Sequence, residues 1–271
     1  MVERAVETLT VYGRLVGAQI RSQLQYRASF TLDITATFLI AFLDFLAVLL
    51  IFHNVPRLGG WTVHEVAFLY GASAVAFALA EMLVGHTEAL AQRLRTGTFD
   101  VLLVRPRGTL FQVASSELPL RRLGRAAQGA VVFAFALSGA DIAWDPGRVA
   151  MLVVMVVAGI LVFASMWIGG LCVLFWTIDG GEFTNAFTYG GQYLTQYPID
   201  LYSRWLRRFL GYLVPTAFVA YFPALYVLGK RDPLGLPRIL QFASPAVAVV
   251  VACAAGLLWR SAVRRYRGAG G

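Results

Sequence analysis

Residues 30–52 read FTLDITATFLIAFLDFLAVLLIF. The run is 23 residues long and contains no lysine or arginine. A helix of that length rises about 35 Å, and a bilayer hydrocarbon core is about 30 Å thick. The stretch therefore reads as a membrane-spanning helix. Inside hydrocarbon every backbone polar group must be satisfied within the segment, which a helix does. Two aspartates, Asp33 and Asp44, interrupt the run, and they raise the first question about function.

Working outward, five more apolar runs follow, at about 61–84, 126–140, 149–177, 206–228 and 239–259. Pro- and Gly-bearing turns such as HNVPRLGG (53–60), DIAWDPG (141–147) and KRDPLGLPR (230–238) separate several of them. The whole chain agrees with this pattern. Of 271 residues, 58% are hydrophobic and only 14% charged, with mean hydropathy +0.67. A soluble domain carries nearly twice that charge. The expected fold is an all-α polytopic membrane protein of six transmembrane helices. Residues 1–29 precede them as an amphipathic helix with Leu9, Tyr12, Val16, Ile20 and Leu24 at three-to-four spacing. Such a helix lies in the membrane interface or packs on the bundle. Residues 30–260 then form a single transmembrane domain with one large polar loop, 86–125. Residues 261–271 make a short basic tail.

The net charge of +8 does not indicate a nucleic-acid partner, because the cations sit at span ends rather than on a soluble basic domain. With both termini on one side, that side collects eighteen of the 23 lysines and arginines. The positive-inside rule makes it cytoplasmic, so loop 86–125 is cytoplasmic too and the expected location is a bacterial plasma membrane. The membrane lipid itself is a partner.

Chemistry that the chain lacks is informative. Lys230, the sole lysine, lies in LGKRD without the spacing of a phosphate-binding loop, so the chain has no site for ATP of that kind. His53, His64 and His86 are scattered, and Cys172 and Cys253 fall in apolar runs; no metal set or catalytic cluster emerges. The chain is expected to be neither an enzyme nor a holder of a cofactor.

Ionisable residues within spans are costly and point to function by default. Asp44 lies about 20 Å into the first span at 1.5 Å per residue. Asp33 and Asp44 share a helix face, with Thr37 between them. Glu81 is on the second span, on a face with Tyr70, Ser73 and Phe77. Asp44, Thr37 and Glu81 are candidates for a translocation path; interhelical hydrogen bonding is the plainer alternative. Pro215 and Pro223 each remove a backbone bond from the fifth run and permit a kink there, either mobile or fixed by packing.

Loop 86–125 contains RLRTGTFDVLLVRP, residues 93–106. A short helix from Glu88 to about Arg95 is expected to end at Gly97. FDVLLV then forms an apolar group among arginines, and Pro106 stops it. Docking onto a partner protein and packing beneath the bundle both fit such a knob.

The run LRTGTFDVLLVRP, followed by LFQVASSE, resembles the loop after span two in bacterial ABC transporter permeases of the ABC-2 exporter class. The segment YPIDLYSRWLRRFLGYLVPTAFVAYFPALYVLGKRDPLGLP, 197–237, resembles the most recognisable stretch of a family of six-span ABC-2 permeases. The resemblance implies a permease that works as a homo- or heterodimer, with a separate cytoplasmic ATPase binding ATP and Mg. It also implies that the loop carries a coupling helix, with Glu88, Arg93, Arg95, Asp100 and Arg105 as candidate coupling residues. An intramembrane lipid-modifying enzyme and a non-transporting assembly subunit are the alternatives.

Overall fold

The structure, a computed structural model, describes residue 13 and residues 17–85, 87–116, 118–177, 180–203, 205–206, 215–232, 235 and 237–266. Most of the expected N-terminal helix, His86, and the arginines at 204, 207 and 208 lie outside the described residues. No strand occurs among the described residues; an isolated bridge pairs Leu58 with Trp61.

The first helix described is α1, residues 17–24. Helices α2 (Arg27–Asn54) and α3 (Val63–Val84) follow. Three short helices, α4 (Thr87–Arg95), α5 (Asp100–Leu103) and α6 (Thr109–Ala114), fill the polar loop. A 3-10 turn, Leu120–Arg122, leads into α7 (Leu123–Gly139), and α8 (Pro146–Val173) and α9 (Gly181–Thr195) come next. Helix α10 (Tyr221–Val227) and helix α11 (Ser244–Arg265) complete the described fold. Among the described residues, four helical stretches are long and apolar enough to cross a membrane: α2, the run Val63–Arg95, α8 and α11.

The bundle has two ends. At one, α4 to α6 form a cap; this is the loop end. At the other lie the links 55–62 and 140–145 and the described residues of 228–243; this is the turn end. Local sequence explains the starts of two helices there. Thr62 and Glu65 form a capping box on α3, and Asp145 caps α8 ahead of Pro146.

Helix α3 is the axis of the bundle. Fifteen of its 22 residues are buried, whereas α2 buries only Ala41, Phe45 and Val48. Small residues make the difference. A Cβ on Gly71 of α3 would lie 2.6 Å from the Phe133 amide nitrogen of α7, and one on Gly129 would lie 2.9 Å from Ala74 and Val75. Backbones this close gain dispersion contacts that bulky side chains forbid, the usual basis of helix association in lipid. Gly71→Val is therefore expected to force α3 and α7 apart and cost about 1–3 kcal/mol or more. The midpoint of thermal unfolding in detergent checks this. Gly190→Ala, at a position with open space around it, serves as the control. Equal midpoints for the two variants would refute the close packing.

The apolar runs map onto helices with one change. The described part of the fifth run, expected as a span over 206–228, does not reach from one end to the other, and residues 207–214 lie outside the described residues. Its described part begins as a 3-10 turn, Pro215–Phe218, at mid-depth, where Thr216 approaches Gly191 of α9 and Val219 approaches Gly159 of α8. It then climbs through α10 to the turn end, where Tyr226 meets Gly147. The passage between the two ends belongs instead to 181–201. Gly181 lies near Thr87 at the loop end, Thr195 bonds Ser73 at mid-depth, and Leu201 packs on Gly59 at the turn end. The cause is composition. GEFTNAFTYGGQYLT is too polar to register as an apolar run, because its threonines and glutamine face α3 and α8 rather than lipid. Pro223 falls in the first turn of α10, where a missing N–H breaks no helical bond.

Candidate functional site

The polar side chains gather in one column beside α3. At its base is Glu81, 2% exposed and so almost fully withdrawn from solvent. One of its carboxylate oxygens accepts from Arg125 at 3.0 Å, and the other lies 3.5 Å from Arg122 Nε and accepts from the Tyr189 hydroxyl. Arg122 also donates to the Glu81 carbonyl and, at 3.1 Å, to the Gly85 carbonyl at the end of α3. The Arg125 guanidinium lies 5.5 Å from the centre of the Tyr189 ring. A buried charge persists only when paired and hydrogen-bonded, and Glu81 meets both conditions. The node fastens together α3, the α6–α7 link, α7 and α9.

Above the node is a cavity of about 100 Å³. Thr37 and Asp44 of α2 line it, with Tyr70 of α3, Gln128 of α7, and Gln192 and Tyr193 of α9. Gln128 is fully buried, and the Tyr70 hydroxyl is its nearest polar neighbour. Asp44 is exposed on the open side of α2, at a depth where lipid offers nothing to a carboxylate. The Thr37 hydroxyl sits within bonding range of the Asp33, Ile34 and Arg121 carbonyls, which ties α2 to the α6–α7 link. Thr37 and Asp44 thus share one cavity. Glu81 lies behind its wall and touches it through Arg125 and Tyr189, both of which also line it. Pro215 and Pro223 are elsewhere, in the dipping segment.

Sequence reasoning missed Arg122, Arg125, Tyr189 and Gln128 as members of this column. Gln128 carried a usable signal, since it is an amide inside an otherwise apolar run. Nothing in the local sequence pairs Arg125 with Glu81, which lies 44 residues earlier.

At the loop end FDVLLV divides into buried and exposed side chains. Phe99 and Leu102 are buried in a cluster with Leu90, Leu94, Leu171 and Trp259. Phe99 meets Phe175 and Tyr266 edge-on at 5.2 and 5.0 Å between ring centres. Val101, Leu103 and Val104 point the other way, and Val104 is 84% exposed. Half of the knob anchors the loop and half faces out. Gly97 adopts φ +69°, a left-handed conformation that suits glycine, and so turns the chain from α4 into α5. Glu88, Arg95, Asp100 and Arg105 are exposed, while Arg93 is half-buried. The Tyr266 phenol has its pKa raised, first by burial and then by the nearby Asp100 carboxylate. Helix α1 is held to this cap by two glutamines. Gln19 donates to the Ser115 and Ser116 carbonyls, and Gln23 donates to the Leu118 carbonyl while accepting from the Leu120 amide.

At the turn end, Lys230 donates to both carboxylate oxygens of Glu65 at 2.7 Å and stands 4.6 Å from the Trp61 ring centre. Among the described residues no group of histidines, cysteines and carboxylates could hold a metal ion.

A family model described as ABC-2 family transporter protein matches residues 38–270, which takes in every helix from the middle of α2 onward. The chain belongs to the ABC-2 transporter family. It is an integral membrane protein and a permease of an ABC-type transporter, a kind of subunit that is generally not itself an enzyme. No curated protein and no solved structure matches this ABC-2 chain.

Proposed function

We propose that this ABC-2 permease is the membrane half of an ATP-driven exporter. It pairs with a second permease chain, identical or related, and couples to a separate cytoplasmic ATPase that binds ATP and Mg. The loop end is the cytoplasmic end, the passage 181–201 is the fifth of six crossings, and α5 with its flanks is the coupling element. Cargo passes along the column that holds Asp44, Thr37 and Gln128, on the sparsely packed side of α2 where a second chain completes the path.

The observation that carries this reading is the split of residues 99–104. A loop that only sealed the bundle would bury its apolar side chains. Here Phe99 and Leu102 are buried, while Val101, Leu103 and Val104 stand exposed, and Val101 lines one groove with Arg93, Arg105 and Arg107. An apolar centre rimmed by arginine has the composition of a protein interface. Anchoring through Phe99 also lets a push on the outer face reach α8 and α11, because Leu171 and Trp259 belong to the same cluster.

The experiment is co-expression of the chain with the ATPase encoded beside it, together with any second permease encoded there. Retention of the ATPase through purification in detergent, with ATP hydrolysis stimulated by the membrane chains, is the expected result. Failure of the chain to retain any such ATPase overturns the reading.

A further inference from the structure

A separate cavity of about 200 Å³ opens at the loop end, between the start of α4 and the side of α9. It shares Arg122 and Tyr189 with the Glu81 node, and Asp44 is not part of its lining. Its lining is rich in hydrogen-bond donors. Trp167 is 1% exposed, and its indole N–H, a group that can only donate, has no partner. Thr87 is likewise buried, and its hydroxyl has no partner. Asn185 and the guanidinium-bearing Arg121 and Arg122 complete the wall.

Two further features give the cavity a sign. Thr87, Glu88 and Ala89, the first turn of the nine-residue helix α4, line it. The positive end of a helix dipole favours an anion at that place. Charge agrees. Arg121, Arg122 and Arg125 stand against two carboxylates, Glu81 and Glu88, and Glu88 is exposed. Two orphaned buried side chains, a helix start and surplus guanidinium charge converge on one space.

We propose that this cavity binds a phosphate-type oxyanion, with two or more of its oxygens taken up by Trp167 Nε1, Thr87 Oγ1 and the Arg121 guanidinium. Gly85, just past the last turn of α3, forms one wall, and in the membrane orientation proposed above this places the site at the level of the phospholipid headgroups. An anionic lipid headgroup and free phosphate share this chemistry, and the test separates them.

The full chain is reconstituted in nanodiscs of phosphatidylcholine, with and without phosphatidic acid, and its unfolding midpoint is followed as the anionic lipid is titrated. In parallel, inorganic phosphate is titrated against chloride in detergent at constant ionic strength. The expected result is a rise in midpoint with the anion. Trp167→Phe keeps the ring against Phe77 and Tyr189 but removes the donor, and Arg121→Gln alters an exposed side chain. Each is expected to weaken binding about tenfold, the effect of losing one hydrogen bond to a charged group. A rise with phosphatidic acid alone assigns the site to lipid, and a rise with inorganic phosphate as well assigns it to the free anion. No rise in either arm, or a rise untouched by both substitutions, overturns the proposal.

Discussion

Glu81→Ala is expected to lower stability by about 3–5 kcal/mol, the cost of leaving buried charge unpaired. Arg122 and Arg125 would both lose their carboxylate, and Tyr189 would lose its acceptor. Helix α9 would lose its polar tie to α3 at this level, leaving mainly ring contacts such as Phe77 with Tyr189. The measurement is thermal unfolding of the purified chain in detergent, together with its yield. The double variant Glu81→Gln, Arg125→Gln removes one charge of each sign and is expected to recover part of the loss relative to Glu81→Gln alone. Wild-type stability in Glu81→Ala would mean that the node holds nothing together.

The second large effect separates anchoring from docking within six residues. Leu103→Asp with Val104→Asp is expected to leave unfolding nearly unchanged, since surface substitutions usually fall within about 0.5 kcal/mol. The same double variant is expected to weaken retention of the ATPase about thirtyfold, as loss of an interface hot spot of about 2 kcal/mol does. Phe99→Ala should do the reverse at first hand. It empties a site between Phe175 and Tyr266 and is expected to cost about 3–5 kcal/mol of stability. Titrating the ATPase against each purified variant gives the binding half, and unfolding gives the other. If the aspartates weaken folding and binding alike, or neither, the outward half of the knob is not a docking surface.

The apolar runs made α2, α3, α8 and α11 legible, because hydrophobic length is a direct readout of what lipid demands. Gly97 marked the end of α4 for an equally local reason. Helix α9 was hidden. Its threonines and Gln192 are buried against other helices, so its polarity reports packing rather than exposure to water. The dip at 215–219 was hidden in the opposite sense, since an apolar run looks the same whether it crosses or turns back. Asp44 and Thr37 were visible as polar residues at depth, but their common cavity with Gln128 and Gln192 depends on α7 and α9, which only the fold brings alongside. The glutamines that fasten α1 leave no mark in its apolar spacing. The tie is polar, from Gln19 and Gln23 to the cap.

The dipping segment also bears on how the chain is made. A stretch of 3-10 backbone at mid-depth survives only where protein surrounds it. Thr216 and Val219 find that shelter against Gly191 and Gly159, and the Phe218 carbonyl receives the Ser244 hydroxyl of α11. During synthesis α8 and α9 emerge before this segment, but α11 emerges after it. Residues 215–219 therefore have no finished berth when they leave the ribosome. The bond from Ser244 to the Phe218 carbonyl can form only once α11 has been made and stands alongside.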